Sequence, residues 1–360
     1  MVSNGINDIR VESSEEDLVT PIELKERYPL TGDMEGTVLS ARTAIEDVLD
    51  GKDPRKIVVV GPCSVHDIES AKEYTDRLKS LSDKVNDVFI IVGRFYFEKP
   101  RTTTGWRGLV RDPDLNGSFD INKGLGLARE LLCYSNRLGV PAATEFLNTL
   151  FPQHYSDLIS WAAIGARTTE ADTHRELVSG LSMPVGYKNP TSGDISIAVN
   201  AVISSSNPMA FPGLNYLGRP KIIRTKGHPY THVVLRGGNG ALNGGKHTPN
   251  YESQYVAQAQ ELLRAEGLRP NIMIDCSHSN SKKMPENQPR VLENVVQQIY
   301  DGNQHIIGVM LESNLCFGSQ KLDLSALEYG VSITDGCIDI AQTQEILTAH
   351  AATLRRVINP

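Results

Sequence analysis

The chain is 360 residues long, with 40% hydrophobic and 22% charged residues, which suits a globular protein with a substantial core, in two domains or in one large α/β barrel. Its net charge of −7 argues against nucleic acid or an anionic membrane as the main partner, so any cluster of Arg and Lys in it is a local device. Cys63, Cys133, Cys276, Cys316 and Cys337 are odd in number and contain no CxxC pair, the usage expected of reduced thiols in a cytoplasmic protein. Glu15, Glu16 and Asp17 stand where a secretion signal needs an apolar run, and no stretch has the apolar length of a membrane span.

Residues 1–35 are polar and weakly periodic, with Asp8 to Val11 as a short strand candidate. They read either as an arm that packs on a partner subunit or as a disordered tail. Residues 36–360 read as one barrel. Ile57 to Val60 is a continuous apolar run closed by Gly61, the pattern of a parallel strand buried on both faces. Ile68, Ala71, Tyr74, Leu78 and Leu81 follow at helical spacing, with Asp67 placed to cap the helix. Further strands are expected at Val88 to Val92, Pro141 to Phe146, Ala162 to Ala166, Pro184 to Tyr187, His232 to Leu235, Ile272 to Ile274 and Ile306 to Leu311. Leu125 to Leu138, Tyr251 to Glu266 and Pro289 to Tyr300 read as helices between them. Alternation of this kind, repeated eight times, implies a closed TIM (β/α)8 barrel. Residues 208–230 break the alternation, and the turn signals Gly218, Gly227 and Pro229 mark an inserted hairpin.

Barrels of this type carry their chemistry where the strands end at the carboxyl face. The residues met there are Cys63, Arg94, Glu145, Arg167, Lys188, Arg236, His278 and Glu312. Any one of them alone reads as a surface ion pair or a satisfied core group. A buried ring of them is costly unless its members are paired or hold a ligand. Arg94, Arg167, Arg236, Lys188 and Lys99 gather positive charge in an acidic protein, which suits a small polyanion. Cys63, His278 and Glu312, with Asp335 after the last strand, mix S, N and O donors and suit a divalent ion such as Mn, Fe, Co or Zn.

Six segments then make the chain recognisable: Gly61-Pro-Cys-Ser-Val-His-Asp67, Phe97-Glu-Lys-Pro-Arg-Thr-Thr103, Gly165-Ala-Arg-Thr-Thr-Glu170, Leu235-Arg-Gly-Gly238, Asp275-Cys-Ser-His278 and Ser332-Ile-Thr-Asp335. From about Val11 onward the sequence resembles the 3-deoxy-D-arabino-heptulosonate 7-phosphate (DAHP) synthases of the class I, microbial type. The resemblance implies a metal-dependent condensation of phosphoenolpyruvate with erythrose 4-phosphate, at the head of the shikimate pathway. By matching positions, Cys63, His278, Glu312 and Asp335 correspond to metal ligands. Arg94, Lys99, Arg167, Lys188 and Arg236 correspond to the phosphoenolpyruvate pocket, and Arg101 and Thr102 to the grip on the aldose phosphate. Lys99 is the candidate proton donor. Glu145 reads either as the group that orients water or as a partner for the neighbouring cations. The nearest rival is a related phosphoenolpyruvate-dependent synthase with another aldose acceptor.

The chain departs from its relatives in two places. Asn189-Pro-Thr-Ser-Gly-Asp194 replaces the usual Asn-Gly-Thr-Asp-Gly, and Asn239 to Gly245 is an insertion. The resemblance also implies a homodimer or homotetramer regulated by an aromatic amino acid. The corresponding regulatory pocket maps to Asp8, Pro152, Gln153, Ser182, Phe211 and Gly213. Phenylalanine-responsive relatives carry Ser where Gly213 stands. The missing side chain leaves room for a phenolic hydroxyl, so tyrosine is the expected inhibitor.

Overall fold

The computed structural model describes residues 10–12, 15–101, 103–239 and 246–358. Eight parallel strands close into a barrel: β1 (Lys56–Gly61), β2 (Phe89–Arg94), β3 (Ala142–Glu145), β4 (Trp161–Ile164), β5 (Val185–Lys188), and then, after the hairpin strands β6 (Ala210–Leu214) and β7 (Pro220–Arg224), β8 (Thr231–Leu235), β9 (Ile272–Asp275) and β10 (Ile306–Asn314). Each pairs with its neighbour, and β1 pairs with β10 to close the ring. The two-residue β11 (Ile338–Asp339) pairs in parallel with Ser313 and Asn314 at the carboxyl end of β10. All eight barrel strands fall where the apolar runs place them, and the expected TIM barrel is what the chain forms.

The helices are α1 (Pro21–Arg27), α2 (Gly32–Leu49), α3 (Ile68–Val85), α4 (Ile121–Arg137), α5 (Pro152–Tyr155), α6 (Asp172–Val178), α7 (Ile195–Ser205), α8 (Ser253–Ala265), α9 (Gln288–Tyr300) and α10 (Ile340–Ile358). The carboxylate of Asp67 accepts from the Ser70 N–H and caps α3 as its position predicts.

Strand alternation divides the core in two. Val58 and Val60 of β1, and Phe89 and Ile91 of β2, face the helices, in one cluster with Tyr74, Leu78 and Leu81 of α3. Ile57, Val59, Ile90, Val92, Ala143, Trp161, Ala163, Val234 and Met273 fill the barrel's interior. Trp161 takes so much of that space that a Cβ on Gly186 would lie 2.5 Å from its ring, so β5 contributes a glycine there. The next inward positions, two residues on, are Gly61, Arg94, Glu145, Gly165, Lys188, Arg236, Asp275 and Glu312. The apolar interior thus ends in a layer of charge.

The N-terminal part departs from its reading. Asp8 and Ile9 lie outside the described residues, and Arg10 and Val11 are not in a strand. Weak periodicity gave no helix before residue 35, yet α1 occupies Pro21–Arg27 and α2 starts at Gly32. Local chemistry explains α1: Thr20 and Glu23 form a reciprocal capping box, and Pro21 sits at the first helical position. Long-range bonds then hold it, Ile22 N–H donating to Tyr216 O at 3.0 Å and a His154 ring nitrogen meeting Val19 O at 2.8 Å. Arg129, wholly buried, donates to Tyr28 O and makes two bonds with Asp157, so the turn between α1 and α2 is anchored on α4.

Candidate active site

A cavity of about 270 Å³ opens at the carboxyl end of the barrel. Arg94, Lys99, Arg101, Arg167, Lys188 and Arg236, all expected in the substrate pocket, line it together with Glu145, His278 and Asp335. Thr102 and Asp8 lie outside the described residues, as does 240–245, most of the insertion. Cys63 and Glu312 lie beneath the cavity floor, without exposed surface.

The cations arrive with partners. The Arg94 guanidinium, 1% exposed, donates to Glu312 Oε1 at 2.9 Å and to Pro62 O, and stacks 3.7 Å from the Tyr96 ring centroid. The Lys188 ammonium donates to Asp275 Oδ2 at 2.8 Å and stands 5.8 Å from the same ring. Lys99 Nζ lies 2.7 Å from Cys63 Sγ and 3.3 Å from Asp335 Oδ2. Burial would lower the Lys99 pKa, but Cys63, Asp335 and Glu312 outweigh it and hold it well above the usual lysine value. Lys99 is therefore an ammonium throughout the neutral range. Burial lowers the Arg236 pKa, with Asp275 opposing. Arg236 is buried whereas Arg167 is exposed, so the two arginines differ in how far they depend on the fold for orientation.

The donor atoms of Cys63, Glu312 and Asp335 lie within 4.8 Å of one another. His278, expected as a fourth ligand, is not in that tight group: its Nε2 is 3.7 Å from Glu312 Oε1, and its Nδ1 is drawn to 2.8 Å from Asp275 Oδ2. A carboxylate behind an imidazole that faces a ligand set is the usual way a metal-binding histidine is oriented. Lys99 holds the Asp335 carboxyl well below its usual range against burial. Burial would raise Glu312, but His278, Arg94 and Lys99 outweigh it and keep it lowered. Burial, with Glu312, pushes the Cys63 thiol up, and a bound divalent ion is what would bring it down. One sulfur and two ionised oxygens in a closed group, with a nitrogen beside them, fit a borderline divalent ion.

The strand-end reading missed Asp275, Tyr96 and Lys283. Asp275 holds both Lys188 and His278, and its carboxyl is kept well below the usual range by them despite complete burial. Parity exposes it: Met273 faces the interior, so Asp275 does too. Lys283 lines the cavity and lies 3.7 Å from Asp335 Oδ1. It follows a turn in which His278, Lys282 and Lys283 all have positive φ, a conformation no spacing rule anticipates. The Gly165-Ala-Arg motif has a steric reason, since a Cβ at Gly165 would collide with the Glu145 carboxylate.

The expected regulatory residues lie away from this cavity. Pro152 and Gln153 are on α5, Ser182 precedes β5, and Phe211 and Gly213 are on β6. A second cavity, of about 410 Å³, lies between Val19, Thr20, His154, Leu214 and Gly218. Pro152, Gln153, Ser182, Phe211 and Gly213 do not line it, but His154 and Leu214, the chain neighbours of Gln153 and Gly213, do.

Comparison with known proteins is consistent across the whole chain. A model of the DAHP synthetase I family matches residues 20–348. The Tyr-sensitive phospho-2-dehydro-3-deoxyheptonate aldolase of Salmonella typhimurium is 47% identical, over 96% of each chain. The Phe-sensitive one of Escherichia coli is 46% identical over 97% of this chain and 98% of its own. A solved structure of the aldolase of that name from Francisella tularensis superimposes with a TM-score of 0.91 at 42% identity, covering 95% of this chain and 98% of the other. A parallel barrel with a cation-lined mouth above a Cys, Glu and Asp cluster, matched at this identity over 96% of its length, belongs to the DAHP synthetase I family.

Proposed function

We propose that this enzyme condenses phosphoenolpyruvate with D-erythrose 4-phosphate to give 3-deoxy-D-arabino-heptulosonate 7-phosphate and inorganic phosphate, the first step of the shikimate pathway. The observation that carries the reading is one cavity in which six expected cations converge beside the Cys63, Glu312 and Asp335 group. Phosphoenolpyruvate brings a phosphate and a carboxylate, and Arg94, Lys188, Arg167 and Arg236 offer forks and an ammonium to both. Arg101, with Thr102, takes the aldose phosphate. Arg101 is itself steadied by a 2.8 Å bond from Nε to Trp106 O.

Cys63, Glu312 and Asp335, with His278 as fourth ligand, would hold a divalent ion (Mn, Fe, Co or Zn), which when bound would supply Lewis-acid polarisation of the aldehyde oxygen. The methylene carbon of phosphoenolpyruvate attacks the aldehyde carbon. Lys99, 2.7 Å from Cys63 Sγ and 3.3 Å from Asp335 Oδ2, delivers the proton that turns the aldehyde oxygen into a hydroxyl. Water then adds to the former enol carbon, and phosphate leaves with cleavage of its C–O bond. Glu145, buried against Gly165, faces the cavity as the carboxylate that orients this water.

Tyrosine is the feedback effector in this reading, bound near the second cavity. Relatives named for tyrosine and for phenylalanine sensitivity differ by one percentage point in identity, so the reading rests on Gly213. The working form is a cytoplasmic homodimer or homotetramer in which residues 1–35 contact a partner subunit. No helix among the described residues is long and apolar enough to cross a membrane.

The test is phosphate release by the purified protein with phosphoenolpyruvate and erythrose 4-phosphate, alongside arabinose 5-phosphate as a competing acceptor. Absence of turnover with erythrose 4-phosphate, or faster turnover with the five-carbon sugar, overturns the assignment. Titrating tyrosine, phenylalanine and tryptophan tests the effector, and stronger inhibition by either of the other two refutes tyrosine.

A further inference from the structure

Where β8 ends at Leu235 its ladder stops, and the backbone polar groups of Arg236 and Gly237 need other partners. Two buried asparagines supply them. Asn189 Oδ1 accepts from the Arg236 N–H at 2.9 Å, and Asn189 Nδ2 donates to Gly237 O at 3.0 Å. Asn250 Oδ1 accepts from the Gly237 N–H at 2.7 Å, and Asn250 Nδ2 donates to Asn189 Oδ1 at 3.2 Å. Both peptide groups that flank the Arg236 Cα are thus clamped, and the clamps are bonded to each other.

The network continues into β9. Asn280 Oδ1 accepts from the Asn250 N–H at 2.8 Å, while Asn280 Nδ2 donates to Leu235 O and to Asp275 O. All three asparagines are at most 6% exposed. The turn has no slack of its own: Gly237 has φ +74°, and a Cβ there would lie 2.7 Å from Ser279 Cβ. Gly238 and Thr248 exchange two backbone bonds, at 2.9 and 2.7 Å, which brings Asn250 to the site.

We propose that Asn250 is a positioning residue for the phosphoenolpyruvate pocket, acting with Asn189 to fix the backbone from which Arg236 reaches its anion. The inference rests on the reading of Arg236 as a substrate group. Asn250 does not line the cavity that Arg236 lines, so its influence on substrate passes through Arg236. A fully satisfied buried network of amides is rigid, and loss of Asn250 leaves the Gly237 N–H without its acceptor and takes away one of the two donors to Asn189 Oδ1. A guanidinium displaced by about 1 Å loses a bidentate fit, and misplacement of that size can cost about a hundred-fold in rate.

The experiment is a double-mutant cycle on kcat/KM for phosphoenolpyruvate with Asn250→Ala, Arg236→Ala and the double variant, in the metal-loaded enzyme. The expected result is a loss of about ten-fold or more for Asn250→Ala in the wild-type background, borne mainly by KM for phosphoenolpyruvate, and none in the Arg236→Ala background. Asn250→Asp keeps an acceptor for the Gly237 N–H but loses the donor to Asn189. It gives a smaller loss that also vanishes with Arg236→Ala, and it serves as the cycle's second arm if Asn250→Ala does not fold. An equal loss in both backgrounds, or no loss in either, overturns the proposal. If Arg236→Ala alone leaves phosphoenolpyruvate kinetics unchanged, the pocket reading fails instead, and the two failures are told apart.

Discussion

Asp275→Asn is the sharpest test of the charge layer. The carboxylate is wholly buried, and the side chain of Lys188, 4% exposed, forms an ion pair with it at 2.8 Å. Removing one member of a buried pair costs about 3–5 kcal/mol, because the other charge stays behind in a poor dielectric. Asparagine keeps the shape and one acceptor, so the expected loss is about 3–4 kcal/mol. For 360 residues this corresponds to a Tm lower by about 4–5 °C. The assay is thermal unfolding of chelator-treated protein, so that no metal masks the site. A Tm within about 1 °C of wild type would refute the claim that Asp275 neutralises Lys188.

Chelation should abolish activity and added Mn should restore it, while Cys63→Ala should fail to regain it; full activity in metal-free protein refutes the metal assignment. Arg236→Ala should raise KM for phosphoenolpyruvate more than Arg167→Ala does, since Arg236 is buried and Arg167 exposed; the reverse order in steady-state kinetics counts against this placement. Gly165→Ala should fold but lose most of its turnover, because the new methyl displaces the Glu145 carboxylate; unchanged kcat would mean that Glu145 has no part in the reaction. Thr20→Ala removes the capping box and should cost about 1 kcal/mol, seen as earlier proteolysis around α1; an unchanged cleavage rate would show that tertiary contacts alone hold the helix.

The barrel strands were legible because strands buried on both faces must be continuous apolar runs, and Ile57 to Val60 or Ile306 to Leu311 have no other good use in water. Residue chemistry at the strand ends was legible for a related reason. Charge directly after such a run is too expensive to leave without purpose, and Arg94, Lys188, Arg236 and Glu312 were found in this way. Pairing was not legible. Nothing local tells Arg94 to meet Glu312, 218 positions away, or Cys63 to lie beside Asp335, 272 positions away. Closure of the ring decides that, by bringing β1 against β10 and turning alternate residues inward together.

The same division applies to Asp275 and His278. The Asp275-Cys-Ser-His278 segment announces both residues. Only the packed barrel sets one as the carboxylate behind Lys188 and the imidazole, and keeps the other a step outside the Cys63, Glu312 and Asp335 group. At the N-terminus, the Thr20 to Glu23 capping box was in the sequence, but a seven-residue helix is too short to persist without partners. Tyr216 and His154 provide them. Short-range chemistry thus determined which segments are strands and which residues are costly to bury, because each follows from a few neighbouring side chains. The tertiary structure alone decided which charge faces which, because Coulomb energy and ligand geometry depend on distances that only the closed barrel defines.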